Sequence, residues 1–238
     1  MPKKPLNAYK CLTFDVVGTL IDFESGLMDS LSAIAAEHGT RLAREDVLSA
    51  YRAERYRPDV QRFPDDLERV YLAIAPQLGL PRDAELGRRL RDDAARWQPF
   101  ADSVAAMQAL SHRYKLVAMT NAQRWAFAHF DATLGHPFHA SFTTDDTGTE
   151  KPDPAFFHHV LTALEAQGVA RDDILHVAQS QHHDMGVARD LGLATCWIQR
   201  RHDQPGWGGT IAPAAVTVPD YHFTAMAELA AAVEPAFA

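Results

Sequence analysis

The sequence predicts an α/β fold, a parallel sheet core that carries an inserted helical cap, and three observations lead there. Short apolar runs recur along the chain, segments of helical spacing separate them, and one long interval holds helical patterns only. Strands that alternate with helices imply right-handed crossovers, which give a parallel sheet with helices on both faces.

Five runs read as strands: "CLTFDVV" (11–17), "YKLVAMT" (114–120), "ASFTT" (140–144), "DILHVAQ" (173–179) and "ATCWIQ" (194–199). The segments "SVAAMQALSH", "AQRWAFAHFDATLG", "DPAFFHHVLTALEAQG" and "DMGVARDLG" lie between them, with apolar residues near helical spacing. After the first strand come four helical patterns in succession: "SGLMDSLSAIAAEHG", "AREDVLSAYRAERY", "PDDLERVYLAIAPQLGL" and "DAELGRRLRDDAARW". A compact crossover does not need that much chain. The expected division is therefore a core of residues 1–21 and 98–238 and a helical cap of residues 22–97. "QPGWGG" (204–209) reads as a surface loop. His158–His159, Trp125, Phe127 and Phe130 read as helix faces packing on the sheet.

With 238 residues the chain can hold one large α/β domain or a core with an insert. No run approaches the roughly 20 apolar residues that span a bilayer, and "MPKKPLNAYK" is too short and polar to read as a signal peptide. Cys11 and Cys196 lie in apolar runs and read as core thiols of a reducing compartment. These features point to a cytoplasmic protein with no membrane partner. A formal net charge of −8 argues against nucleic acid as a partner, yet leaves room for an anionic small molecule in a locally basic pocket.

In open α/β sheets ligands bind at the carboxyl ends of the strands. Asp15, Thr120 and Asn121, and the segment 179–184 all fall at such ends, and a cap emerging just after Asp15 would shield them from water. Taken singly each is ordinary. Asp15 could end a turn, Thr120–Asn121 could cap a helix, Lys151 in "EKPDP" could be solvated, and Asp184 could be another cap. Gly18 allows a tight turn beside Asp15, and Thr19 can donate a hydrogen bond to its carboxylate. The His182–His183 pair suggests a metal, but adjacent residues seldom converge on one ion and no further ligands stand at suitable spacing.

The order of these residues says more than any one of them. An aspartate with G-T-L after strand one, a hydroxyl residue with Asn after strand two, K-P-D-P, and an acid after strand four resemble the haloacid dehalogenase superfamily along nearly the whole chain. The resemblance implies a Rossmann-like core with a cap and a covalent aspartate nucleophile, here Asp15. Most members are magnesium-dependent phosphatases, with a second acid two residues after the nucleophile and "GD" at the end of strand four. Here those positions hold Val17, and Ala178 with Gln179. Valine transfers no proton, and a neutral amide is a poor ligand for a hard dication.

The departure favours the metal-independent branch, the (S)-2-haloacid dehalogenases, with no metal or cofactor and a small carboxylate as substrate. By that resemblance Asp15 attacks the halide-bearing carbon, Lys151 keeps Asp15 ionised, and Asp184 acts as general base for ester hydrolysis. Thr19, Thr120, Asn121 and Ser180 fall to positioning and substrate binding. A cap arginine would take the substrate carboxylate or halide; Arg52 in "SAYRAERYR" matches best, with Arg55 and Arg57 as alternatives. Dimers are common among the resembling proteins, which makes a homodimer the expected assembly.

The match has gaps. Where the dehalogenases carry tyrosines, this chain has Val17 and Phe157; Thr120 replaces a serine, and Gln179-Ser180-Gln181 replaces S-S-N. Fluoroacids or azetidine-2-carboxylate would use the same attack on an sp³ carbon. The phosphatase reading and a non-catalytic binding protein are the competing classes.

Overall fold

The computed structural model describes residues 4–233. Six strands, β1 (Cys11–Phe14), β2 (Lys115–Met119), β3 (Ala140–Phe142), β4 (Ile174–Ala178), β5 (Ala194–Ile198) and β6 (Tyr221–Phe223), form one sheet in the order β3-β2-β1-β4-β5-β6. Every neighbouring pair is parallel. The sheet is the α/β core that the alternation predicts. Its sixth strand and the last helix, Met226–Val233, were not foreseen, because "YHF" offers too short an apolar run to stand out.

The central strands are apolar on both faces, as strands covered by helices on each side must be. Alternate residues divide between two apolar clusters. Leu12, Phe14, Leu116, Ala118, Leu175 and Val177 join one; Cys11, Val117, Met119 and Ile174 join the other. That period of two fixes where polar exceptions point. Thr13 and His176 have the parity of Cys11 and Ile174, so they belong to the second face, and the strand register sets them directly opposite one another.

Four α-helices occupy the interval between Ile21 and Pro99: α1 (Phe23–Glu37), α2 (Arg44–Glu54), α3 (Asp66–Ile74) and α4 (Ala84–Asp93). Asp22 opens α1 by accepting from the Ser25 amide, which satisfies one of the unpaired amides of the first turn. The two ends of the interval lie side by side: Ile21 bridges Pro99, and the Asp22 amide donates to the Gln98 carbonyl at 2.9 Å. The helical interval thus leaves and rejoins the sheet at one place, above the carboxyl end of β1.

Helices α5 (Ser103–Ser111), α6 (Arg124–Thr133), α7 (Thr144–Thr147), α8 (Pro154–Glu165), α9 (Gly186–Asp190) and α10 (Met226–Val233) complete the core. Helix α8 shows how sequence writes such an element. Asp153 caps the Ala155 amide, Pro154 takes the first turn, and Phe156, Phe157, Val160, Leu161 and Leu164 bury one face. Truncating Phe157 to alanine would cost about 3–5 kcal/mol. His158 and His159 are exposed on α8; His159 still meets Phe142 of β3 edge-on at 5.9 Å between ring centroids, whereas His158 does not pack on the sheet as the pattern suggested. Phe127 and Phe130 of α6 do pack inward, and Trp125 is half-buried. Cys11 and Cys196 are fully buried thiols. Among the described residues no helix is long and apolar enough to cross a membrane.

Candidate active site

The chain runs outward from β1 to β2 and β3, then returns to the other side of β1 through β4. The crevice opens where that direction reverses, at the carboxyl ends of β1 and β4. Asp15 follows β1 directly, and its amide donates to Val177 of β4 at 3.1 Å. The loop then turns sharply: the Leu20 and Ile21 amides both donate back to the Val16 carbonyl. Gly18 makes the turn with φ +95°, and a Cβ there would stand 2.9 Å from the Gln179 amide nitrogen. Only glycine fits both demands. Thr19 is thereby folded under the carboxylate, donating to Asp15 Oδ2 at 2.6 Å and accepting from the Gln179 amide at 2.9 Å.

Lys151 precedes α8 and reaches the same point. Its Nζ lies 2.9 Å from Asp15 Oδ1 and 2.6 Å from Asp184 Oδ1, with its side chain 1% exposed. Asn121 fixes the lysine from behind: its Nδ2 donates to the Lys151 carbonyl and its Oδ1 accepts from the Lys151 amide, both at 2.8 Å. Thr120 accepts from the Ala122 amide at 3.1 Å and shapes the same loop. Asp184 sits in a π turn, Gln181–Met185, that leads into α9, and Ser180 opens that turn by accepting from the His183 amide.

Two carboxylates share one ammonium out of water, and their titration follows. Burial pushes Asp15 up, and the Asp184 charge adds to it, beyond what Lys151 and Thr19 offset. Burial also pushes Asp184 up, but Lys151 and the His176 ring outweigh it and hold it at about 2. Burial disfavours the charged lysine, yet the two carboxylates raise Lys151 above its ordinary value. The lysine therefore stays charged between the two carboxylates, and burial favours proton uptake at Asp15.

A cavity of ≈ 90 Å³ opens onto this cluster. Asp15, Thr120, Asn121, Lys151, Ser180 and Asp184 line it; Thr19 lies behind Asp15, fully buried, and meets the site through that carboxylate and the Gln179 amide. Arg52 is not among the lining residues. Its guanidinium turns to the Gly208 carbonyl, while Arg55, one turn further along α2, lines the cavity. One helical turn separates the two arginines, and a helix face is set by packing that a loose motif match cannot register. Arg55 is itself held by Asp66 at 2.7 Å and lies 3.9 Å from Glu150.

Two contributors were missed in the sequence. The "QPGWGG" stretch is not simply a surface loop. Its outer part is exposed, but Gly208 and Gly209 are buried against the helical interval, and Gly209, Thr210 and Ile211 form one cavity wall. The Gly209 amide donates to Glu24 at 2.9 Å, and a Cβ on Gly209 would come within 2.8 Å of Phe23. The paired glycines were the available signal. The second is His183, which lines the cavity and bonds Ser180 through Nδ1 at 3.0 Å. Burial holds its imidazole down at about 3, so it is neutral at ordinary pH.

The magnesium site of the superfamily's phosphatases can be tested against this donor set. Val17 lines the cavity where a second acid would stand, and Gln179 gives its side-chain amide to Thr210 at 3.1 Å. Asp15 and Asp184 each already accept from Lys151, and no group of three or more His, Cys, Asp or Glu gathers among the described residues. The residues present do not fit a resident hard dication.

The family model for haloacid dehalogenase-like hydrolases matches residues 9–192. The chain belongs to that family, and is a hydrolase of it. No curated protein sequence matches. Among solved structures, the L-2-haloacid dehalogenase PA0810 is 25% identical, with a TM-score of 0.76 over 95% of this chain and 99% of that one. The L-2-haloacid dehalogenase of Xanthobacter autotrophicus is 21% identical, with a TM-score of 0.69 over 95% and 98%. The putative HAD-hydrolase YfnB of Bacillus subtilis, bound to magnesium, is 18% identical and has a TM-score of 0.76 over 95% and 99%. Overall shape alone thus does not separate the chemistries; the side chains at the crevice carry that argument.

Proposed function

We propose that this protein hydrolyses a small 2-haloacid by nucleophilic displacement at C2. The observation that carries the reading is the Lys151 ammonium lodged between the Asp15 and Asp184 carboxylates, with Val17 in place of an acid two residues after the nucleophile. One Asp15 oxygen attacks C2; the C–O bond forms as the carbon–halogen bond breaks, and the halide leaves with the electron pair. Water then attacks the Asp15 ester carbonyl and gives its proton to Asp184, whose Oδ2 is buried without a hydrogen-bond partner. Collapse breaks the bond between the Asp15 carbonyl carbon and the substrate oxygen; that oxygen takes the proton from Asp184, the 2-hydroxyacid leaves, and Asp15 keeps one oxygen from water and loses the remaining proton to solvent.

The other groups have work consistent with this. Thr19 and Lys151 hold the Asp15 carboxylate and offset charge that grows on it in the tetrahedral intermediate. Asn121 and Thr120 fix the lysine loop, and Arg55 offers a cation to the substrate carboxylate. The walls of Val17, Phe23, Tyr51 and Phe63 exclude water and suit a short apolar substituent. The low-pKa Asp184 is a weak base in the resting enzyme. It strengthens as the charge that develops on the Asp15 carbonyl oxygen in the tetrahedral intermediate draws Lys151 away from Asp184.

The test is release of halide from chloropropionate, chloroacetate and fluoroacetate, alongside azetidine-2-carboxylate and a generic phosphoester, with and without EDTA. The reading expects halide release that EDTA leaves unchanged. Phosphoester hydrolysis that appears only with magnesium would replace it with the phosphatase reading.

A further inference from the structure

Beneath the site lies a buried polar pair that the proposed chemistry does not use. His176 is the one ionisable side chain of β4 and is fully buried. Its Nε2 lies 3.1 Å from Asp184 Oδ1, and its Nδ1 lies 2.9 Å from the Thr13 hydroxyl. Thr13 and His176 face each other across the β1–β4 register, on the same side of the sheet as Asp15 by strand parity. A third neighbour is Phe157, whose ring meets the imidazole edge-on at 5.4 Å between centroids.

From this geometry we infer that His176 is the positioning residue for Asp184, set in the correct tautomer by Thr13. A carboxylate only accepts, so the bond to Asp184 requires a proton on Nε2. The Thr13 hydroxyl can donate to Nδ1, which leaves the ring neutral with its single N–H directed at Asp184. A neutral donor in this place holds the carboxylate oriented without adding a second buried cation beside Lys151. The same bond helps keep Asp184 ionised.

The position also answers a gap in the sequence. Phe157 stands six residues after Lys151, where the dehalogenases carry a tyrosine, and it has no donor to offer. In this chain the phenyl ring packs against His176, and the imidazole supplies the donor from the adjoining strand. Asp184 is faced by Lys151 from the loop before α8, by Asp15 at the end of β1, by His176 from β4, and by His182 and His183 of its own turn.

The test uses three variants of the full chain: His176→Phe, which keeps a buried ring without a donor; His176→Gln, whose amide can still donate; and Thr13→Val. The reading of Asp184 as general base enters only through the kinetic arm, measured with racemic 2-chloropropionate. We expect His176→Phe to lower kcat roughly 10- to 100-fold with little change in KM, the size typical of losing a group that orients a functional side chain. The Asp15 ester should accumulate in it, since hydrolysis slows and displacement does not. His176→Gln should recover most of the loss, and Thr13→Val should show a smaller loss than His176→Phe.

A second arm needs no substrate. In protein labelled with ¹³C-carboxylate aspartate, with Asp184 assigned by Asp184→Asn, the Asp184 resonance should titrate at higher pH in His176→Phe than in the parent. Unchanged titration, or equal losses in the Phe and Gln variants, would overturn the assignment. If no haloacid is turned over by the parent, the dehalogenation reading fails while the titration still decides the role of His176. If His176→Phe does not fold, the Gln and Val variants carry the same comparison.

Discussion

The two walls of the crevice are built on different rules. The sheet wall, Asp15 with Lys151 and Asp184, hangs from strand ends whose register sets each side chain, and a chain of short hydrogen bonds ties it together. The opposite wall is assembled from α1, α2 and the segment around Gly209, which meet through Glu24, Arg52 and close glycine packing. The first is a place where chemistry can be fixed; the second is a place where size and access can be set. Substitutions on the sheet wall should therefore act on kcat, and those on the other wall on KM.

The largest effect belongs to Asp15. Asp15→Asn should reduce turnover by about 10⁴-fold or more, the scale of removing a covalent nucleophile, which initial-rate assays will read. Its stability should not fall, since the change removes one of two crowded carboxylates; thermal unfolding checks this. Lys151→Ala should behave differently. It should lower kcat by roughly 10²–10³-fold with a far smaller change in KM, and it should also destabilise by about 3–5 kcal/mol because two buried carboxylates lose their common partner. An unchanged turnover number in Lys151→Ala would reduce that lysine to a structural cap.

On the other wall the expected losses are smaller and sit in KM. Gly209→Ala must displace Phe23 and Tyr51, which overpacking data put at about 1–3 kcal/mol of stability, and should raise KM more than it lowers kcat. Arg55→Ala should raise KM roughly tenfold, about the value of one charge-assisted contact to a carboxylate. Arg52→Ala should leave KM within about twofold while costing about 1 kcal/mol, since it removes only a bond to a carbonyl. Equal KM effects from the two arginines would erase the distinction between the walls.

The same contrast explains what was legible in the sequence. A strand of period two leaves little freedom, so "CLTFD", "AMTN" and "ILHVA" give both the sheet and the residues at its rim, and K-P-D-P gives the lysine. Val17 and Gln179 could be read because they occupy motif positions with the wrong chemistry. Arg55 could not be told from Arg52, because which turn of α2 faces the crevice depends on packing against residues distant in the chain. The Gly208–Gly209 contact with Glu24 is of the same kind: it joins segments 185 residues apart. His176 is the exception that a closer reading could have caught, a lone polar residue inside an apolar strand next to the site.

The pH dependence is the gentlest probe of the sheet wall. Asp15 is raised above the ordinary carboxylate value, and the proposed displacement requires it ionised. Falling pH protonates it, so kcat/KM should drop on the acid side at a pH above 3.8, the unshifted aspartate value. An acid limb at or below that value would place the controlling proton elsewhere.

The central claim is that an ammonium, with no dication, balances an aspartate that bonds to carbon. Rapid-quench mass spectrometry of the chain mixed with 2-chloropropionate in EDTA measures this directly. The account predicts an Asp15 peptide carrying the propionate group, formed and lost at the rate of turnover. An unmodified Asp15 peptide, together with activity that EDTA abolishes and magnesium restores, would contradict it.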